Sequence, residues 1–129
     1  MLPDVIDQLD EHDREGYVRI LISLAGADGT LVREETAAIE AAMGRALIPP
    51  NRRNVFRQEL KRSVDLSKII EGMSVSALRL SLRDAAIVGA CDGEFQEEEI
   101  EFLKQLAGYA DVDEETLAKV LKWVDQGWT

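Results

Sequence analysis

Hydrophobic residues recur along this chain at helical spacing, and turn formers punctuate the runs. Tyr17, Ile20, Leu21 and Leu24 fall three and four residues apart, which predicts an amphipathic or wholly buried helix. Asp13 is placed as its N-cap, and Gly29 stands where a left-handed turn would stop it. A second helix is expected over about 32–47, with Ile39, Ala42, Met43, Ala46 and Leu47 on its inner face. Pro49 and Pro50 break the chain, and a third helix begins at Asn51, burying Phe56, Leu60 and Val64. A short helix around 66–71 leads to Gly72. Ser74 then suits the N-cap of a long helix through Ala90, with Leu78, Leu82, Ala85 and Ala86 facing inward. Another helix is expected over about 96–109, burying Phe102, Leu103, Leu106 and Ala110. Asp113 caps the last, whose inner stripe holds Leu117, Val120, Leu121, Val124 and Trp128. No segment alternates with period two. The expected fold is all-α, a compact bundle of about seven helices in a single domain spanning 1–129.

The pattern also repeats. A shift of 64 residues superposes Asp28-Gly29 on Asp92-Gly93, Glu34-Glu35 on Glu98-Glu99, and Gly44 on Gly108. Apolar positions keep the register: Leu31 with Phe95, Ile39 with Leu103, Phe56 with Val120, Leu60 with Val124. Each half, about 13–64 and 77–128, reads as helix, Asp-Gly corner, helix and third helix. Two such three-helix units are expected to pack around a pseudo-twofold axis, since neither buries its apolar faces alone.

Composition narrows the function. In 129 residues, 46% hydrophobic and 31% charged, there are one Cys, one His and three Pro. That count rules out a disulfide framework or Cys-rich zinc site and leaves little for His-based catalysis. The net charge of −10 opposes binding to DNA, RNA or anionic lipid. It is unevenly spread: residues 45–83 carry nine basic and three acidic groups, a net +6 against −16 elsewhere. An acidic face and a basic face are therefore expected. No apolar run approaches a bilayer span, and the acidic first residues lack a signal-peptide pattern, so the expectation is a cytoplasmic protein.

The repeated corners hold the candidate chemistry. They read Ala27-Asp28-Gly29-Thr30-Leu31-Val32-Arg33-Glu34-Glu35 and Cys91-Asp92-Gly93-Glu94-Phe95-Gln96-Glu97-Glu98-Glu99. Asp, Gly, an apolar anchor and a Glu seven residues after the Asp match the second half of an EF-hand loop. The first half is missing, because Leu24, Gly26, Val88 and Ala90 stand where oxygen ligands are needed. Calcium takes about six to eight oxygens, so one half-loop binds weakly, and a tighter site requires both corners to face each other. The candidate metal ligands are Asp28, Glu34, Glu35, Asp92, Glu98 and Glu99. A structural reading stands beside this one: with Val32 and Gln96 at the N-caps, Glu35 and Glu99 fall at N3, where a carboxylate satisfies backbone amides.

The duplicated Ala/Cys-Asp-Gly-x-apolar-x-x-Glu-Glu corner, following the apolar run Ile20-Leu21-Ile22-Ser23-Leu24-Ala25-Gly26-Ala27, resembles the TerB-like tellurite-resistance family over about 14–124. The resemblance implies an all-helical fold of two related halves, with metal-binding acidic residues at Asp28, Glu34, Glu35, Asp92, Glu98 and Glu99. It further implies a part in bacterial chemical stress and work with protein partners near the membrane. The sequence departs from that family at Val32 and Gln96, where a Ser or Thr cap is usual.

Outside the corners, Cys91 is expected as a small core thiol and His12 as a solvated residue in an acidic stretch. Trp123 points away from the Val120–Val124 stripe and is a candidate interface residue. Arg52, Arg53, Arg57, Lys61 and Arg62 form a basic helix face, solvated or docking an acidic partner. No catalytic triad, Gly-rich phosphate loop or zinc pattern is present in the sequence, and the chain is expected not to be an enzyme. The leading expectation is a module that takes a divalent cation, Ca²⁺ above others, with no organic cofactor. The alternative is a metal-independent adaptor using its acidic and basic faces.

Overall fold

The apolar periodicity resolves into seven helices among the described residues: α1 (Glu11–Ala25), α2 (Arg33–Arg45), α3 (Pro50–Glu59), α4 (Leu66–Ile69), α5 (Val75–Gly89), α6 (Glu97–Tyr109) and α7 (Glu114–Gln126). The computed structural model describes residues 9–27, 33–59, 65–90 and 95–126, the side chains of the last two excepted. All regular structure among them is helical. None of these helices is long and apolar enough to cross a membrane.

Helix α1 is apolar around most of its circumference, and it is accordingly the central element. Tyr17, Val18, Ile20, Leu21, Ile22, Leu24 and Ala25 are all buried. It packs most extensively along α5 and also meets α2, α3, α4 and α6. Helix α5 presents Ala77, Leu78, Ser81, Leu82, Ala85, Ala86, Val88 and Gly89 to the core. Its small residues permit close approach. A Cβ at Gly89 would stand 3.1 Å from the Phe95 ring and 3.5 Å from Leu24, so this glycine makes room for the anchor that follows the second corner.

Three helix limits differ from the sequence reading, each for a local reason. The N-cap of α1 is Asp10, whose carboxylate accepts the Asp13 N–H at 2.8 Å. Asp13 instead lies inside the first turn, buried, and accepts from the Ser74 N–H at 3.1 Å and the Ser74 hydroxyl at 2.8 Å. Ser74 in turn caps α5 by accepting the Ala77 N–H at 3.1 Å, so one carboxylate joins the starts of the two central helices. At its other end α1 stops at Ala25, followed by Gly26 at φ −91, without a left-handed residue; Gly29 lies outside the described residues. Helix α2 ends at Arg45, because Leu47 adopts φ 56 and the chain closes through Ile48 N–H to Met43 C=O at 3.1 Å and Leu47 N–H to Gly44 C=O at 3.2 Å. This is a Schellman end with leucine where glycine is usual.

The equivalent end of α6 is built alike: Asp111 has φ 57, Val112 N–H reaches Ala107 C=O at 2.9 Å and Asp111 N–H reaches Gly108 C=O at 3.4 Å. Helices α1 and α5, α2 and α6, and α3 and α7 begin 64 residues apart (11 and 75, 33 and 97, 50 and 114), and the first two pairs have equal lengths.

The basic segment does not present a free arginine face. Arg52 donates to Glu15 at 2.9 and 3.1 Å, Arg57 to Glu40 at 2.7 and 3.0 Å, and Arg53 to the Ile48 carbonyl at 2.6 Å. The Arg57 hydrogen bonds hold the Glu40 carboxyl below its usual range. Arg19 from α1 pairs with Glu59 at 3.2 and 3.3 Å. The fully buried Phe56 lies between two of these cations, with Arg19 5.3 Å and Arg52 5.4 Å from its ring centroid. Leu60, Lys61, Arg62 and Val64 lie outside the described residues.

Two changes test this packing. Phe56→Ala removes a buried ring and is expected to lower the unfolding free energy by about 3–5 kcal/mol in urea, with helical circular dichroism retained. Leu47→Gly relieves a left-handed residue that is more than half exposed. It is expected to raise stability by about 1 kcal/mol in the same assay.

Candidate functional site

A helix start exposes unpaired amides, and carboxylates collect there for that reason. In α6 the Gln96 N–H donates to Glu99 Oε1 at 2.8 Å, so Glu99 serves as the N3 cap and is buried. Glu35 is buried at the matching place in α2, while Glu34 and Glu98 are exposed. Asp28 and Asp92, the corner residues proper, lie outside the described residues, as do Gly93 and Cys91. Phe95 packs partly buried against the core, as the anchor reading requires.

The start of α6 also forms one wall of a cleft of about 550 Å³, lined by Ala27, Glu97, Glu98, Glu101, Phe102 and Gln105. Ala27 immediately precedes the first Asp-Gly corner, and Glu97 and Glu98 follow the second. The end of one corner and the acidic turn of the other therefore share a surface. Among the described residues, no three of His, Cys, Asp and Glu cluster closely enough to hold a metal ion. The described carboxylates of this cleft, Glu97, Glu98 and Glu101, make its wall acidic.

The profile of one family spans nearly all of this helical unit. The chain belongs to the DUF533 family, described as a protein of unknown function, whose profile matches residues 4–124. No curated protein and no solved structure matches the chain.

The strongest buried chemistry in this DUF533 chain is one the sequence did not reveal. Tyr17 of α1 donates from its hydroxyl to Asp84 Oδ2 of α5 at 2.5 Å. Arg83 Nε donates to Asp84 Oδ1 at 2.7 Å, and Arg45 Nη2 from α2 to the Tyr17 oxygen at 3.4 Å. Tyr17 is fully enclosed and Asp84 nearly so. Both oxygens of the acid are therefore hydrogen-bonded, which is what a carboxylate in a low-dielectric core requires. Burial first, and then the Asp84 charge and hydrogen bond, push the Tyr17 phenol far above its ordinary value of 10.0, outweighing the opposite pull of Arg45. Tyr17 and Asp84 are 67 residues apart, so only the tertiary fold reveals the pair. The group joins α1, α2 and α5 and reads as a structural clamp; of its members, Arg83 also lines a cleft between α5 and α7. His12 was expected to be solvated; it is exposed, but its Nε2 bonds to the Glu71 carbonyl at 2.8 Å and so tethers α1 to the turn after α4.

The clamp carries a stability-versus-pH consequence. The folded pKa of Tyr17 lies above the unfolded value, so its contribution is complete below about pH 10 and declines as pH rises beyond that toward the folded value. The decline approaches about 1.4 kcal/mol per pH unit. Tyr17→Phe leaves Asp84 short of a donor and is expected to cost about 1–3 kcal/mol at neutral pH while removing this alkaline slope. Urea unfolding of both proteins across pH 8–11 reads both effects; an unchanged slope in Tyr17→Phe would assign it to another group.

Proposed function

We propose that this chain is a non-catalytic helical module of TerB-like type, made of two pseudo-symmetric halves offset by 64 residues, whose acidic corners take a divalent cation. The halves are supported by the matching limits of α1 with α5 and α2 with α6, and by the matching Schellman ends at Leu47 and Asp111. Cation binding is supported by one observation above the rest: Ala27, at the edge of the first corner, lines the same cleft as Glu97, Glu98 and Glu101. Carboxylates converging on one surface repel one another, and a cation relieves that repulsion. In this reading Asp28 and Asp92 act as ligands together with Glu34 and Glu98, the latter two exposed. Glu35 and Glu99 shape the helix starts from which the ligands project, with Glu99 holding the Gln96 amide. Calcium suits such a set, since it accepts many oxygens and tolerates irregular geometry. The place in a bacterial chemical-stress response, with protein partners near the membrane, rests on the sequence resemblance, and the cytoplasmic expectation on the hydrophobic pattern of the sequence.

A metal-independent adaptor is the second reading. It draws on Trp123 and Tyr109, which are 60% and 46% exposed. It does not draw on Arg52, Arg53 and Arg57, which are engaged within the fold.

Calorimetric titration of metal-free protein with Ca²⁺, beside Mg²⁺ and Zn²⁺, tests the cation reading against Asp28→Asn/Asp92→Asn. Saturable Ca²⁺ binding is expected, with a Kd on the order of 10⁻⁴–10⁻³ M. A rise in thermal midpoint should accompany it, and both should vanish in the double variant. Absence of heat and of any midpoint shift at millimolar ion would overturn cation binding and leave the adaptor.

A further inference from the structure

The start of α1 grips four consecutive residues that lead into α5. His12 Nε2 bonds to the Glu71 carbonyl at 2.8 Å. Asp13 accepts from the Ser74 N–H at 3.1 Å and from the Ser74 hydroxyl at 2.8 Å. Gly72 turns the chain between them at φ 78, and a Cβ there would stand 3.1 Å from His12 Nε2. The remaining contact is apolar. A Cβ on Gly16 would lie 2.5 Å from Met73 Sδ, 3.0 Å from its Cε and 3.1 Å from its Cγ. The Met73 thioether therefore lies directly on the α1 backbone, in a seat that any larger residue at 16 would take from it. Glycine weakens a helix interior, and α1 carries one where this side chain passes.

A thioether is polarizable and takes up oxygen, and the sulfoxide is a polar, chiral group in place of a flexible apolar one. The methionines of this chain differ in access to an oxidant. Met43 is fully buried, whereas Met73 is partly buried and packs at the edge of the core. Met1 lies outside the described residues.

We propose that Met73 is an oxidation site, and that its sulfoxidation by a peroxide loosens the joint between α1 and the start of α5. A lone pair of the Met73 sulfur attacks one oxygen of hydrogen peroxide, and the O–O bond breaks as the S–O bond forms. The sulfur loses two electrons to the peroxide. The proton of the transferred oxygen passes to the departing hydroxide, which leaves as water. The product is larger and more polar than the thioether, and its seat is bounded by the backbone at Gly16. A sulfoxide that leaves this seat takes the apolar contact with it, and the turn is then held by its hydrogen bonds to His12 and Asp13. Peroxide reaches Met73 in the folded chain, while Met43 reacts only when the core opens. This chemistry is independent of cation binding.

Timed exposure of the full chain to hydrogen peroxide, with peptide mass mapping and thermal unfolding, tests the site. Met73 is expected to gain one oxygen at least about tenfold faster than Met43. The thermal midpoint of the oxidised protein should fall by about 3–6 °C. Met73→Leu keeps an apolar side chain in the seat, and its midpoint should not respond to peroxide. Gly16→Ala pushes the flexible end of Met73 out of the seat, so Met73 should oxidise faster still, with no further fall in midpoint. Equal rates at Met73 and Met43 overturn the site, and an unchanged midpoint after Met73 is oxidised overturns the loosening. A fall of the wild-type size in peroxide-treated Met73→Leu or Gly16→Ala also overturns it, by assigning the effect to another residue.

Discussion

Helix α1 is buried on nearly every side, and the rest of the architecture answers that constraint. A largely buried helix forces the polar groups on its inner side to find partners inside the protein. Tyr17 finds Asp84, Asp13 finds Ser74, and Arg19 and Glu15, nearer the surface, find Glu59 and Arg52. Two of these partners belong to α5 or its cap and two to α3, so satisfying α1 fixes the placement of both helices. The hydrophobic core supplies the driving force, and these directional contacts select one arrangement of the helices. The Ser23 hydroxyl is buried without a partner among the described residues; its helical neighbours explain its burial, and nothing in the structure explains the missing bond.

The extent to which this was readable in the sequence follows the range of each interaction. Helix positions come from apolar spacing within a few residues, and the seven helices fall where that spacing puts them. Caps at Ser74 and Asp113 were equally legible, since each side chain bonds an amide three residues on; the Thr116 N–H accordingly holds the Asp113 carboxyl below its usual range. Asp13 was misplaced because Asp10, three residues earlier, has the same chemistry in the same acidic run. The end of α2 was misplaced because a left-handed C′ residue is usually glycine, and here it is Leu47. Long-range pairs left no local trace: Arg19 and Glu59 are 40 residues apart, and Arg52 and Glu15 are 37. A count of charges therefore suggested a basic face, whereas Arg52 and Arg57 pair with carboxylates of other helices and Arg53 with the Ile48 carbonyl.

The candidate site divides in the same way. The N3 role of Glu99 followed from its distance to Gln96 and is seen as a hydrogen bond to that residue's amide. The shared cleft of Ala27 with Glu97, Glu98 and Glu101 required the packing of α1 against α6, which no spacing within either corner encodes. Cation affinity and helix capping also draw on the same residue type. The distinction between them lies in exposure: Glu99 is withdrawn into the cap, while Glu98 faces solvent.

Helices that begin 64 residues apart carry different side chains at matching positions. Around α3 the first half is closed by Phe56, two flanking arginines and their carboxylates. The corresponding stretch of α7 has valine, threonine and an exposed tryptophan, the first two lining a cleft. Among the described residues, the acidic cleft is lined by α6 together with Ala27, which follows α1. A buried phenylalanine between tethered guanidiniums contributes to folding and leaves nothing for a ligand to do. Equal spacing of helix starts thus does not dictate equal side-chain packing.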